Sequence, residues 1–273
     1  MKDHYIVRLK DAQGEYKKII NILLTSPFQH IIIYSKIFSF FERESMFDNS
    51  ELKKKIGSVP DYIEEDDYCK NGTLRIRGKT CVQLVARAVL PTRFGTFVIA
   101  GFYDRSNKKE HTALIKGNVN GTERCPVRIH SECHTGDIFF SLKCDCREQL
   151  EASLQYISSK PYGLFIYLRQ EGRGIGLLNK IKAYHLQELG LDTVEANEYL
   201  GLPDDARDYT AAAAIIEMLK VKSVSLLTNN PDKLQGLRDA GINVVERIPL
   251  VIEPNSYNRA YLKTKKEKMG HLY

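Results

Sequence analysis

The chain has 273 residues, 43% of them hydrophobic and 27% charged, an ordinary globular composition with room for one large core or two domains. Its net charge of +6 suits anionic ligands, nucleotides included, but is too small and too dispersed to argue for nucleic-acid binding. The longest apolar run, Ile31 to Phe41, is broken by Ser35, Lys36 and Ser39; it is too short to span a bilayer and reads as a buried strand or helix.

Residues 1 to about 82 differ from the rest. They carry the acidic stretch Asp61 to Asp67 and few recognisable chemical groupings, and a boundary or linker is expected near 61 to 80. Nothing at the N-terminus resembles a secretory signal, so a reducing, cytoplasmic compartment is expected. The Lys-rich stretches Lys53 to Lys55 and Lys263 to Lys268 read as solvated faces. From Cys81 onward the pattern sharpens. Val82 to Leu90 and Thr96 to Phe102 are β-branched and apolar, joined by a hairpin-like turn over Pro91 to Gly95. Thr112 to Ile115 and Val127 to Ile129 are further strands. Helices then alternate with strands. Glu148 to Ile157, Leu177 to Leu189 (closed by Gly190), Tyr209 to Leu219 and Asp232 to Ala240 have helical period, while Leu164 to Leu168, Ser223 to Leu227 and Val244 to Arg247 read as strands. This order predicts an α/β fold, a mixed sheet flanked by helices, with a β-rich start. It places an unassigned N-terminal extension at 1–82 and an α/β domain at 83–273.

In such sheets ligands bind at the carboxyl ends of strands. That rule picks out the loop Arg169-Gln170-Glu171-Gly172-Arg173-Gly174-Ile175-Gly176, which opens a helix. Its glycines let backbone N–H groups approach a phosphate, and its arginines match phosphate oxygens. A second loop, Thr228-Asn229-Asn230-Pro231-Asp232-Lys233, offers Thr228 and Lys233 to a phosphate or a base, or serves only as a cap through Asn230. A third segment sets Asp204, Asp205 and Asp208 around Arg207, which exceeds what capping needs.

Three cysteines carry the sharpest signal: Cys133, Cys144 and Cys146, in Ser-Glu-Cys-His-Thr-Gly-Asp and Lys-Cys-Asp-Cys-Arg. Thiolates suit a borderline cation such as Zn²⁺, and three ligands leave a fourth position for water, as in catalytic sites. Buried apolar cysteines and a disulfide are weaker readings, because the neighbours are polar and the compartment is expected to be reducing. Cys69, Cys81 and Cys125 lack this clustering. A metal centre, two anion loops and a basic balance together point to metal-assisted hydrolysis of a nucleotide.

The segments 128–137 (Arg-Ile-His-Ser-Glu-Cys-His-Thr-Gly-Asp), 141–146 (Ser-Leu-Lys-Cys-Asp-Cys), 169–177 (Arg-Gln-Glu-Gly-Arg-Gly-Ile-Gly-Leu), 226–231 (Leu-Leu-Thr-Asn-Asn-Pro) and 268–271 (Lys-Met-Gly-His) resemble GTP cyclohydrolase II. The resemblance runs from about Val85 to the C-terminus. It implies opening of the GTP imidazole ring with loss of formate and pyrophosphate, the first step of riboflavin synthesis, in a homodimer using Zn²⁺ and Mg²⁺. By the same resemblance Cys133, Cys144 and Cys146 are zinc ligands. Arg128, Ile129, His130, Ser131, Glu132, Gln149, Glu171, Gly172, Arg173, Thr193, Thr228 and Lys233 are GTP contacts. Tyr184 serves ring opening, Asp205 is a proton acceptor, and Arg207 is a nucleophile toward the α-phosphorus. A guanidinium is a weak nucleophile, so either Asp205 removes its proton in a dry site or Arg207 only stabilises the charge on the departing pyrophosphate, and the sequence leaves both open. Arg147 stands where many members have Gly, and His134 where an apolar residue is common. The N-terminal segment is too short for the dihydroxybutanone-phosphate synthase often fused to this enzyme, so that activity is not expected. The rival readings are a paralogue that stops at a formamidopyrimidine and a non-catalytic zinc or nucleotide-binding module.

Overall fold

The structure is a computed structural model that describes residues 80–203, 205–259, 262 and 270 in full and the backbone of strands at 3–10, 16–24 and 74–77. The run Ile31 to Phe41, the acidic stretch 61–67, both Lys-rich stretches, Cys69, Asp204 and, except for Gly270, the 268–271 motif lie outside the described residues. The chain divides into two compact units, Met1–Pro60 and Asp61–Tyr273. The first unit holds an antiparallel pair, β1 (Asp3–Lys10) and β2 (Tyr16–Leu24), in register from Asp3↔Leu24 to Leu9↔Lys18.

The second unit is built on one eight-stranded sheet. Its strands are β3 (Leu74–Arg77), β4 (Thr80–Thr92), β5 (Gly95–Asp104), β6 (Lys109–Lys116), β7 (Cys125–Ser131), β8 (Gly163–Leu168), β9 (Val224–Leu227) and β10 (Val244–Ile248). Their order across the sheet is β10-β9-β7-β8-β6-β5-β4-β3. The first four strands form an antiparallel meander, and β6 also meets β8 antiparallel. Strands β8, β7, β9 and β10 are mutually parallel. The expected mixed α/β sheet is therefore present. Among the described residues, α-helices accompany it at α1 (Cys146–Ser158), α2 (Leu177–Glu188), α3 (Thr193–Tyr199), α4 (Thr210–Met218) and α5 (Pro231–Asp239). No helix among the described residues is long and apolar enough to cross a membrane.

Local chemistry explains these elements. The turn expected over Pro91 to Gly95 contracts to Arg93-Phe94, because Thr92 already pairs with Gly95. Gly95 takes φ +119, a conformation that a side chain would resist. Strand β6 alternates, burying His111, Ala113 and Ile115 on one face. Strand β9 is buried throughout, as parallel strands covered on both faces are. Leu164, Ile166 and Leu168 of β8 join a core with α4, whose residues Ala211 to Ile216 are all buried. Phe165 points the other way, onto Leu154 and Ile157 of α1. Burying Ile215 or Ile216 contributes roughly 1.5–3 kcal/mol each. Helix α3 was not expected from periodicity. Its seven residues are fixed instead by a capping box, in which Asp192 accepts from Val194 and Glu195 while Glu195 accepts from the Asp192 N–H.

The strand order reverses around β7. Its connection to β8 leaves on one side, while β9 lies on the other. The carboxyl ends of β7, β8 and β9 thus face one crevice, at Cys133, Arg169 and Thr228 respectively.

Candidate active site

A cavity of about 530 Å³ opens at that edge. The thiol triad lies on its wall. Cys133 follows β7, and Cys144 and Cys146 lead into α1. The three sulfurs lie within 4.8 Å of one another, with Cys133 and Cys144 3.7 Å apart. Sulfurs placed tetrahedrally about 2.3 Å from a zinc ion would stand about 3.8 Å apart, so the triad fits such an ion. The loop between the ligands is shaped for it. A π-type turn at His134–Ile138 folds back so that Gly136 N–H donates to Cys133 Sγ at 3.4 Å. A Cβ on Gly136 would stand 2.8 Å from Cys144 Sγ and 3.1 Å from Cys133 Sγ. Only glycine leaves room there. Hydrogen bonds from Cys144 and Cys146, helped by Lys180, hold the Cys133 thiol far below its ordinary range, while Cys133 pushes Cys144 up to about 11 and Cys146 well up. One thiolate is therefore stable alone, and three require a cation. His134 takes no part in the triad; its ring meets Phe139 edge-on at 5.0 Å.

A buried carboxylate supports this loop. Asp137 accepts from the Cys133 N–H at 3.0 Å and from the Tyr167 hydroxyl at 2.9 Å, and it lies 3.0 Å from His130 Nε2. His130 stacks on both Phe165 and Tyr167, and its buried Nδ1 has no hydrogen-bond partner among the described residues. Burial lowers its pKa despite Asp137, which keeps the ring neutral.

The loop after β8 supplies the second wall. Gly172 and Arg173 both take left-handed φ, near +60 and +58. For arginine this is strained by about 1–2 kcal/mol. Glu171 accepts from Gly172 N at 2.8 Å, from His134 N and from Lys180 Nζ. Burial works against the Lys180 charge, but Cys133, Tyr184 and Glu171 outweigh it and raise its pKa. Gly174, at φ +93, lies so close to the next segment that a Cβ would stand 2.8 Å from Ala206 O. Ala206 N–H in turn donates to Arg173 O at 2.9 Å. This contact holds the glycine loop against Asp205 and Arg207. Those two are joined by Arg207 Nε, 2.8 Å from Asp205 Oδ1, and by a bond from Nη2 to Oδ2. Burial raises the Asp205 carboxyl, but Arg207 overcomes this and holds it below its ordinary value.

The third wall comes from β7 and β9. Arg128 donates to Leu227 O at 2.9 Å and to Gln149 Oε1, and burial brings its pKa down to about 10. Lys233, 5% exposed, donates to Ile129 O at 2.9 Å. Thr228 accepts from Asn230 N at 3.0 Å, and Asn230 caps α5 ahead of Pro231. This loop caps a helix and also lines the cavity.

Of the residues singled out from sequence, Arg128, His130, Ser131, Glu132, Gln149, Glu171, Gly172, Arg173, Tyr184, Thr193, Arg207, Thr228, Lys233 and the three cysteines line the cavity. Ile129 and Asp205 do not. Ile129 is wholly buried and reaches the site through its carbonyl, and Asp205 reaches it through Arg207. Sequence reasoning missed Lys143, Lys180, Gln187, Asn197 and Tyr257 on the cavity wall, and Asp137 behind it. Lys180 and Gln187 share a helix with Tyr184, so helical spacing was the available signal.

Fold and site define a class first: an α/β protein whose metal-ready thiol triad faces a basic cavity at the switch point of its sheet. Comparison with known proteins is more particular. The sequence profile described as GTP cyclohydrolase II matches residues 83–249. A GTP cyclohydrolase-2 from Buchnera aphidicola is 56% identical over 191 residues, covering 70% of this chain and 98% of the relative. One from Picrophilus torridus is 53% identical over 192 residues, covering 70% of this chain and 100% of the relative. One from Neisseria gonorrhoeae is 57% identical over 188 residues, covering 69% and 95%. The chain belongs to the GTP cyclohydrolase II family of enzymes.

Proposed function

We propose that this protein hydrolyses GTP, opening the imidazole ring and releasing formate and pyrophosphate to leave 2,5-diamino-6-(5-phosphoribosylamino)pyrimidin-4-one, the first step of riboflavin synthesis. The reading carries with it Zn²⁺ on Cys133, Cys144 and Cys146, Mg²⁺ with the triphosphate, a homodimer, a cytoplasmic setting, and a catalytic domain at 83–273 behind an extension at 1–82. The observation that carries it is the cavity in which the thiol triad and the cationic side chains Arg128, Arg173, Arg207 and Lys233 line one space in a chain of this family. Cys133, Cys144 and Cys146 would hold the zinc ion, which would supply Lewis acidity toward water at neutral pH.

The residues divide the remaining work. Arg173, Arg207 and Lys233 bind the triphosphate by charge and by forked donors. Tyr184 lies under two ammonium groups, Lys143 Nζ at 4.9 Å and Lys180 Nζ at 5.8 Å from its ring centre. These charges favour proton donation from its hydroxyl to the opening ring. Arg207 acts as a cation toward the departing pyrophosphate and not as a nucleophile. Asp205 is a weakened base, and its double contact keeps the guanidinium protonated.

The test is direct. Zinc-loaded protein incubated with GTP and Mg²⁺ yields formate, pyrophosphate and the pyrimidine together. Pyrophosphate without formate would assign the chain to a different reaction, and absence of both would favour a binding module. Arg207→Lys retains some pyrophosphate release, and no nucleotidyl adduct is trapped on the wild-type enzyme; a trapped adduct would restore the nucleophilic reading.

A further inference from the structure

Lys180 lies one helical turn before Tyr184 on α2 and carries its ammonium to the edge of the thiol triad. Its Nζ donates to Cys133 Sγ at 3.1 Å and to Glu171 Oε1 at 2.8 Å. The side chain is only 13% exposed. A charge so placed is unfavourable unless it is paired, so both contacts matter. Three thiolates on a divalent cation leave a net charge of about −1. An ammonium beside one sulfur offsets that excess and draws electron density from it. Glu171 extends the link. It also holds the backbone N–H of His134, next to the first ligand, and of Gly172, in the glycine loop. Lys180 and Glu171 therefore join the loop that presents Cys133 to the loop that faces the substrate phosphates.

We infer that Lys180 is a positioning residue of the metal centre. Its ammonium balances the thiolate charge, orients Cys133 Sγ and locks the ligand loop to the glycine loop, so that a filled metal site fixes the phosphate-binding wall. This inference rests on reading the triad as a metal site. Zinc affinity, measured by competition with a chromogenic chelator, separates the two. A wild-type protein that binds no stoichiometric zinc overturns the metal site itself. With zinc bound to wild type, Lys180→Met is expected to weaken affinity by tenfold or more, and to move the thiolate-to-metal charge-transfer band of the cobalt-substituted protein to lower energy. Lys180→Arg, which keeps the charge, recovers part of the affinity. Unchanged affinity and an unchanged band in Lys180→Met overturn the inference. If that variant does not fold, the wild-type zinc protein supplies the measurement. Lys180 should be acylated by an amine-selective reagent far more slowly than Lys222, whose side chain is 64% exposed. Equal rates would be fatal to the proposal.

Discussion

Gly136 shows how narrow the tolerances of the site are. Its backbone conformation is open to any residue, but its missing side chain is not, because a methyl group would stand among the sulfurs. Gly136→Ala is expected to weaken zinc affinity by roughly 10–100-fold while leaving the far-ultraviolet spectrum unchanged. A chelator titration checks this, and wild-type affinity would contradict it. Asp137 acts one layer further out. Asp137→Asn removes charge from an oxygen pair that serves Cys133 N–H, His130 and Tyr167. It should cost about 1–3 kcal/mol in urea unfolding and also loosen the metal. Neither residue is exposed to a reader of the sequence as anything but part of a turn. Their roles arise from atoms that meet only after the chain folds back on itself.

At the scale of elements, the glycine loop is braced from the side. Gly174→Ala forces a left-handed alanine against Ala206 O and separates the loop from the Asp205–Arg207 pair. Steady-state kinetics should show kcat/KM for GTP falling by on the order of 10²-fold, as expected when binding groups shift by about an ångström, with the melting temperature little changed. Helix α4 gives the opposite signature. Ile215→Ala opens a cavity in a helix buried on every side, and should cost about 2–5 kcal/mol of stability with kcat of the folded fraction preserved. Strands and helices from Val82 onward were legible because their apolar residues recur at periods of 2 and 3.6. Helix α3 was not, because its seven residues hold only one turn of apolar pattern. The Asp192–Glu195 pair, spaced as a capping box, was the signal available.

At the scale of the molecule, a histidine of the antiparallel half of the sheet meets the start of the glycine loop. His111 on β6 is buried beside Asp104, with its Nδ1 accepting the N–H of Arg169 at 3.1 Å, where the glycine loop begins. Burial pushes its pKa from 6.5 down to about 4, against the opposing pull of Asp104. The folded ring is thus neutral where an unfolded one is protonated. Stability is full above pH 6.5 and declines as pH falls toward 4, by about 3 kcal/mol from this group, and the lowered pKa of His130 acts in the same direction. Thermal melts between pH 7 and 4.5 should show the decline, and His111→Gln, which retains an acceptor, should flatten it. A pH-independent melting temperature in wild type would contradict this account.

The sequence alone determined the chemistry available: three clustered thiols, two glycine- and asparagine-bearing loops after strands, and the α/β alternation that puts strand ends together. The thiols lie between Cys133 and Cys146 and each loop is shorter still, and such local chemistry survives being read as text. What the tertiary structure decided is contact between distant residues. Lys180 reaches Cys133 across 47 positions, and Lys233 reaches Ile129 across 104. No periodicity encodes such pairs. They are fixed by the sheet order, which brings β7, β8 and β9 side by side and turns three separate loops into one charged cavity.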